Sequence, residues 1–387
     1  MSGPILPGAM LGVLGGGQLG AMFTTAARRL GYRVAVWDPD PHAPAHTGAD
    51  LSRCEPFTDH GALERLSRHV NAVTYEWENI PVSVVEALER SVPVRPGSAI
   101  LRVLQNRLDQ KSFLAGRGFP VTSFRAVLDS QELVKAAEAI GFPCLCKTAT
   151  AGYDGKGQWR LSSATDAATL HHALSQTASP DNRWIVERFI AFTKELSVLV
   201  VRGIDGDRRV YPVADNLHEG GILRTTCVPA AIEPSVAERA QAMSAAAIKA
   251  LDGVGVFCVE LFLMPDGSLM INEIAPRPHN SGHYTLDACA VSQFEQQVRA
   301  LCGLPLGDVR LLSPAAMINL IGEDLTYALS EEGLTALFES PGSTLHVYGK
   351  ASIRPGRKMG HATFLAGKLE EAQNAAFTFQ RRLQSPF

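Results

Sequence analysis

The run Val259-Glu260-Leu-Phe-Leu-Met264, Pro265-Asp-Gly267, Ser268-Leu-Met-Ile-Asn-Glu273 reads as two apolar strands folded back on a turn. Asp266-Gly267 is a hairpin dipeptide. Taken as a two-residue turn, it pairs Pro265 with Ser268, and counting outward sets Glu260 opposite Glu273. Side chains so placed have Cβ atoms about 4.5–5.5 Å apart on one face. A solvated face would tolerate two facing glutamates, but the flanking residues are apolar on both faces. Between apolar neighbours two like charges repel and are costly to bury, and a divalent cation relieves both penalties. Glu260 and Glu273 are therefore candidate ligands for Mg2+ (or Mn2+), with Asn272 a neutral neighbour.

Working outward from this hairpin, the alanine-rich stretch Pro234–Leu251 predicts a helix. Leu196–Val201 and Val210–Val213 predict strands joined through Asp205-Gly206, and Trp184–Glu187 predicts another strand. This middle region is α+β and antiparallel. Directly after the hairpin comes Ala275-Pro-Arg-Pro-His-Asn-Ser-Gly-His283, where two prolines restrain Arg277. Arg277, His279 and Asn280 could converge on a small oxyanion beside the cation. Lys147 ends an apolar strand, Leu145–Lys147, and is costly to bury unless an anion meets it. The loop that follows contains Gly152, Gly155 and Gly157 around Lys156, and can fold over phosphates and reopen. It lacks the G-K-[ST] ending of a Walker A loop. Lys350, Arg354, Arg357 and Lys358 cluster about a Pro-Gly turn and suit a phosphate monoester.

The first hundred residues alternate strand and helix, which predicts a parallel, doubly wound α/β sheet. Gly15-Gly-Gly-Gln-Leu-Gly20 follows a strand and opens a helix, with Asp38 downstream. That pattern alone admits a nicotinamide dinucleotide, another phosphate or ribose contact, or a packing turn. Glu76 and Glu78 end a strand, where such sheets face their ligand crevice. Ile100–Gly116 predicts a helix beyond a proline-rich loop, and the remainder from about Pro314 predicts short strands and an amphipathic C-terminal helix.

Composition bounds the function. The chain has 387 residues, 46% hydrophobic and 19% charged, which excludes disorder and a coiled coil and predicts two or three domains. The net charge of −3, from 36 basic and 39 acidic residues, favours neither nucleic acid nor a membrane as partner. Seven cysteines with no CxxC predict reduced thiols in the cytoplasm, and no secretory leader or membrane span is expected.

Together these motifs resemble the ATP-grasp superfamily and, within it, the N5-carboxyaminoimidazole ribonucleotide synthetase family. Gly152-Tyr-Asp-Gly-Lys-Gly-Gln158, Asn216-Leu-His-Glu-Gly-Gly-Ile-Leu-Arg-Thr225, Ala275–His283, Met317-Ile-Asn-Leu-Ile-Gly322 and Arg354-Pro-Gly-Arg-Lys-Met-Gly-His361 carry that resemblance. The loop departs from it by opening Thr150-Ala151 where the family often has Thr-Gly.

The resemblance implies a biotin-carboxylase-like α/β domain over 1–103, an ATP-grasp domain over 104–310 and a small β-rich domain over 311–387. It implies ATP-dependent carboxylation of 5-aminoimidazole ribonucleotide by bicarbonate through carboxyphosphate, in purine biosynthesis, by a homodimer. For ATP it implies contacts from Arg107, Lys147, Gly152, Tyr153, Asp154, Gly155, Lys156, Gly157, Gln158, the Glu187-Arg188-Phe189-Ile190 hinge, Glu195, His218, Asn272 and Glu273. Arg277, His279, Asn280 and Lys156 would be catalytic. Gly17, Gln18, Leu19, Glu76, Tyr153, Asp154, Lys350, Arg354 and Arg357 would hold the ribonucleotide, and Glu260 with Glu273 the metal. The nearest rival is the formate-dependent phosphoribosylglycinamide formyltransferase of the same superfamily. A nicotinamide-dependent dehydrogenase leaves Lys147, Glu260 and Glu273 unexplained.

Overall fold

The computed structural model describes residues 3–152, 156–175 and 183–384. Four parallel strands form the first sheet: β1 (Met10–Leu14), β2 (Arg33–Trp37), β3 (Leu51–Arg53) and β4 (Ala72–Tyr75), in the order β3-β2-β1-β4. Alternation along β1 sends Met10 and Leu14 to one face and Leu11 and Val13 to the other, each into its own core. The second core also takes Phe294, Val298 and Leu301 from the helix Gln293–Cys302, which fastens the middle of the chain to the first sheet.

A second, antiparallel sheet holds β5 (Phe124–Val127), β6 (Cys144–Thr148), β7 (Gln158–Leu161) and β8 (Trp184–Arg188), in the order β5-β8-β6-β7. Cys144 and Cys146 both face its core, as their spacing predicts. The largest sheet has nine strands: β9 (Lys194–Arg202), β10 (Arg208–Val210), β11 (Ala214–Glu219), β12 (Ile222–Val228), β13 (Gly255–Leu263), β14 (Leu269–Ala275), β15 (Ala315–Ile321), β16 (Ser343–Val347) and β17 (Lys358–Leu365). Their order is β14-β13-β9-β11-β12-β15-β17-β16, with β10 on β9. Because β15 pairs with β12, the C-terminal strands extend the central sheet rather than forming a separate one. The helix Pro234–Leu251 covers one face of β9 and β13 through Val236, Ala240, Ala247 and Ile248.

Two local expectations change. Residues 100–116 are not one helix but two, Ser98–Gln105 and Arg107–Gly116. Asn106 breaks the run because its side-chain oxygen accepts from the Leu108 and Asp109 amides, capping the second helix. The hairpin turn is Pro265-Asp266-Gly267, one residue longer than a two-residue loop: the Met264 amide donates to Ser268 and Gly267 takes φ +77°. Leu261 accordingly faces Ile271, and the register then shifts by one so that Glu260 meets Glu273. The longer turn and the bulge cancel, which is why the predicted glutamate pair stands.

Candidate active site

Register places the site on one face of the large sheet. Directly opposed residues share a face, so Glu273, Glu260 and Ser197 form one row, continued by Glu195, Asn216 and Thr226. Buried hydroxyl and amide groups tie these strands together. Thr226 Oγ1 donates to Asn216 Oδ1 (2.9 Å), Asn216 Nδ2 donates to Ser197 Oγ (2.9 Å), and Ser197 Oγ reaches Ser281 Oγ (2.8 Å).

Glu260 is the electrostatic centre of the site. Burial and the facing Glu273 push its carboxyl up to about 7, against the opposing pull of His218. The sheet holds two carboxylates where water cannot fully solvate them, a donor set suited to Mg2+. His279 Nε2 lies 3.5 Å from Glu260 Oε1, and Asn272 Nδ2 lies 3.5 Å from Oε2. His218 bonds Glu195 through Nδ1; burial pulls its pKa down, but that bond and the charges of Glu260 and Glu195 carry it above the ordinary value.

The loop after β14 supplies the positive side. Arg277 grips Glu78 of the first lobe with two hydrogen bonds, one from Nε to Oε2 and one of 2.8 Å from Nη2 to Oε1. Although burial opposes both charges, each holds the other ionised: Arg277 is shifted up and Glu78 down. His279 Nδ1 accepts from the Ser281 amide (3.3 Å), so its proton sits on Nε2. Burial, then Arg277, lowers its pKa well below the usual value and keeps the ring neutral. Asn280 pairs reciprocally with Asn319 of β15 (2.9 and 2.7 Å), so its amide chiefly joins the loop to the C-terminal strands.

A second cluster lies at the end of β6. Lys147 Nζ is 2.9 Å and Lys111 Nζ 3.3 Å from the Glu187 carboxylate, all nearly buried. Burial alone would raise the Glu187 pKa, but Lys147 and Lys111 hold it down to about 2. With Arg107, Gln110, Asn272 and Glu273 these residues line one small cavity, which joins this cluster to the hairpin that carries the glutamate pair. Arg107 clasps the base of the loop through Thr148 O (3.1 Å) and Gly152 O (2.9 Å). A Cβ on Gly152 would lie 2.8 Å from Arg107 Nη1 and 2.9 Å from the Lys156 carbonyl oxygen, so a side chain there would force the clasp and the loop backbone to shift. Ala151 adopts φ +61°, the left-handed region that favours glycine. Lys156 and Gln158 are exposed and Gly157 half-buried; Tyr153, Asp154 and Gly155 lie outside the described residues. Arg188 follows as an exposed residue, Phe189 stacks under Arg160 at 4.4 Å, and Ile190 is half-buried.

At the first sheet the glycine turn is already filled. Gly17 and Gly20 amides donate to Glu76, the latter at 2.5 Å, and the Gly16 amide donates to Asp38 at 2.6 Å. The anion-binding end of the helix Gln18–Arg29, which begins with Gln18 and Leu19, is thus occupied by the chain's own carboxylates. This geometry leaves no place for the pyrophosphate of a dinucleotide. In the basic turn, Lys350 Nζ donates to Lys358 O (2.7 Å), Arg357 Nη1 donates to Ser352 O (2.9 Å), and Arg354 is exposed. Lys358 begins β17 rather than ending the turn, and its charge reaches Glu260, His218 and His279.

The same architecture recurs in known proteins. A Bacillus subtilis N5-carboxyaminoimidazole ribonucleotide synthase is 40% identical over 365 residues, 93% of this chain and 92% of that protein. The chain belongs to the N5-carboxyaminoimidazole ribonucleotide synthase family. Family matches divide it into a ribonucleotide synthetase preATP-grasp domain (residues 9–105), an ATP-grasp domain (112–294) and a phosphoribosylaminoimidazole carboxylase C-terminal domain (315–375). A crystal structure of an N5-carboxyaminoimidazole ribonucleotide synthetase with ADP superposes with a TM-score of 0.92 at 39% identity, covering 98% of each chain. The Aspergillus clavatus synthase, solved with ADP and 5-aminoimidazole ribonucleotide, superposes with a TM-score of 0.86 at 32% identity, covering 97% of this chain and 99% of that one.

Sequence reasoning missed two residues within this family fold. Lys111 lies one turn after Arg107, a helical spacing that could have marked it. Asn319 sits in the quoted run Met317–Gly322 but carries no separate signal.

Proposed function

We propose that this chain is an ATP-dependent carboxylating ligase. It converts 5-aminoimidazole ribonucleotide, bicarbonate and ATP into N5-carboxyaminoimidazole ribonucleotide, ADP and phosphate, in purine biosynthesis. The facing pair Glu260 and Glu273, with Glu260 pushed up to about 7, carries the reading. A site with that arrangement calls for a cation and an anionic substrate.

Glu260, Glu273 and the adjacent Asn272 would hold Mg2+, which when bound neutralises triphosphate charge and stabilises phosphoryl transfer. Lys147, fixed by Glu187, presents one cation to the phosphates, and Arg107 keeps the loop carrying Gly152, Lys156, Gly157 and Gln158 in place above them. The chain from Glu187 to Ile190 borders the adenine, and Glu195 with His218 borders the ribose. A bicarbonate oxygen attacks the γ-phosphorus as the bond to the β-bridging oxygen breaks, giving ADP and carboxyphosphate. Arg277, held rigid by Glu78, and the neutral His279 donate hydrogen bonds to that anion, and Asn280 positions the loop. Carboxyphosphate then releases phosphate, and the substrate amine captures the carboxyl carbon and loses a proton. Lys350, Arg354 and Arg357 bind the ribonucleotide phosphate, and Gly17, Gln18, Leu19 and Glu76 shape the wall beside it.

We divide the chain into a preATP-grasp unit (1–103), an ATP-grasp unit (104–310) and a C-terminal unit (311–387), and the three family matches support that division. All seven cysteines are unpaired and six are buried, and among the described residues no helix is long and apolar enough to cross a membrane. We accordingly assign the cytoplasm. The active form is proposed to be a homodimer, which sedimentation would test. The function is tested by ADP release from Mg-ATP and bicarbonate, with and without 5-aminoimidazole ribonucleotide. The proposal requires strong stimulation by that nucleotide. Stimulation by formate and glycinamide ribonucleotide instead would move the activity to the formyl-transferring relatives.

A further inference from the structure

Away from the glutamate pair, the large sheet carries a second group of donor atoms that the proposed reaction does not use. His346 on the edge strand β16 faces His361 on β17, and their rings stack 4.4 Å apart at 12°. Asp287, from the short helix Thr285–Ala288, reaches His346 Nε2 at 3.0 Å and accepts from Thr344 Oγ1 at 2.8 Å. One donor atom from each of Asp287, His346 and His361 lies within 4.8 Å of the other two, and among the described residues no other group of three does so.

His361 supplies the second observation. Its side chain is wholly buried, Tyr348 Oη holds Nδ1 at 2.9 Å, and Nε2 has no partner. A buried ring nitrogen without a partner needs an explanation in a native fold. Fixing one nitrogen of an imidazole through a neighbour, so that the other faces an ion, is the usual second layer of a metal site.

We infer that Asp287, His346 and His361 form a transition-metal site, distinct from the Mg2+ pair, that takes Zn2+ or a similar borderline ion. Two imidazoles and one carboxylate are the donor set such ions prefer, whereas Mg2+ selects oxygen ligands. In a tetrahedral site with bonds of about 2.0–2.2 Å the donors lie roughly 3.3–3.6 Å apart, so closure from as much as 4.8 Å asks for a movement of up to about 1.5 Å. His346 can make it: its side chain is 30% exposed, and turning out of the stack opens the site to water as a fourth ligand. The ion would join the segment after the Arg277 loop to both C-terminal strands.

The test is Zn2+ titration of the full chain in excess Mg2+, with Co2+ absorbance as a spectroscopic readout. One equivalent per chain is expected, with tetrahedral Co2+ bands. His346→Ala should weaken binding at least tenfold, and Asp287→Asn should do likewise, while Glu273→Gln leaves it unchanged. Thermal melts without metal establish that each variant folds. Absence of stoichiometric binding, binding unaltered in both His346→Ala and Asp287→Asn, or loss of binding in Glu273→Gln would each overturn the assignment.

Discussion

Glu187→Gln isolates the buried charge cluster beside the proposed ATP site. The glutamate is buried, with 2% of its surface exposed, between Lys147 at 2.9 Å and Lys111 at 3.3 Å. Its carboxyl is held down to about 2 from an ordinary 4.5. At about 1.4 kcal/mol per pH unit, that gap corresponds to roughly 3 kcal/mol. Glutamine keeps the volume but leaves two buried ammonium groups facing no anion. Removing one partner of a buried pair typically costs about 3–5 kcal/mol, in agreement with the pKa argument. An unfolding entropy of about 2.1 cal/mol/K per residue gives roughly 0.8 kcal/mol/K for 387 residues, so Tm should fall by roughly 4–6 °C near neutral pH. The sign with pH follows. A depressed carboxyl stabilises the fold fully above about 4.5 and loses that contribution as pH falls toward 2. The variant and the parent should therefore converge in acid. Burial already pulls Lys111 down, so Lys111→Met placed on Glu187→Gln should recover part of the loss. Scanning calorimetry at several pH values checks both statements. A Tm within about 1 °C of the parent at pH 7, or no recovery in the double variant, would refute the reasoning.

Three further outcomes follow from the geometry. Glu260→Gln should abolish turnover yet raise the Tm of the metal-free protein at pH 8. The folded state retains a proton on Glu260 up to about 7, so the wild type loses up to about 3 kcal/mol as pH rises from 4.5 through 7 and the amide does not; a lower Tm would contradict this. Arg277→Lys should reduce kcat by roughly 10²-fold, because an ammonium cannot keep both bonds to Glu78 and still meet the anion; steady-state kinetics decide it. Ala151→Gly should stabilise the protein by up to about 1 kcal/mol, since it removes a Cβ from a left-handed conformation, and denaturant unfolding reads the gain.

Much of the architecture was legible because the patterns were periodic or punctuated. Alternating strands and helices gave the parallel sheet, and Pro265-Asp-Gly267 marked the central hairpin. The glutamate pairing was reached through two compensating local errors, since neither a G1-type turn nor a one-residue bulge leaves a distinct mark in an apolar run. The glycine turn of the first lobe shows the opposite limit. Its spacing is that of a dinucleotide fingerprint, yet Glu76 and Asp38, distant in sequence, fill it. Asn319 and the Asp287–His346–His361 group became visible only once register and packing brought separate segments together. The break at Asn106 was missed because both flanking segments are helical, and only the cap distinguishes two helices from one.

The central claim is that this site activates bicarbonate by phosphoryl transfer from ATP. Turnover with 18O-labelled bicarbonate, Mg-ATP and 5-aminoimidazole ribonucleotide tests it most directly, with mass analysis of the phosphate released. Attack by a bicarbonate oxygen on the γ-phosphorus leaves that oxygen in the product, so one labelled oxygen per phosphate is predicted. Phosphate carrying no bicarbonate oxygen would contradict the account.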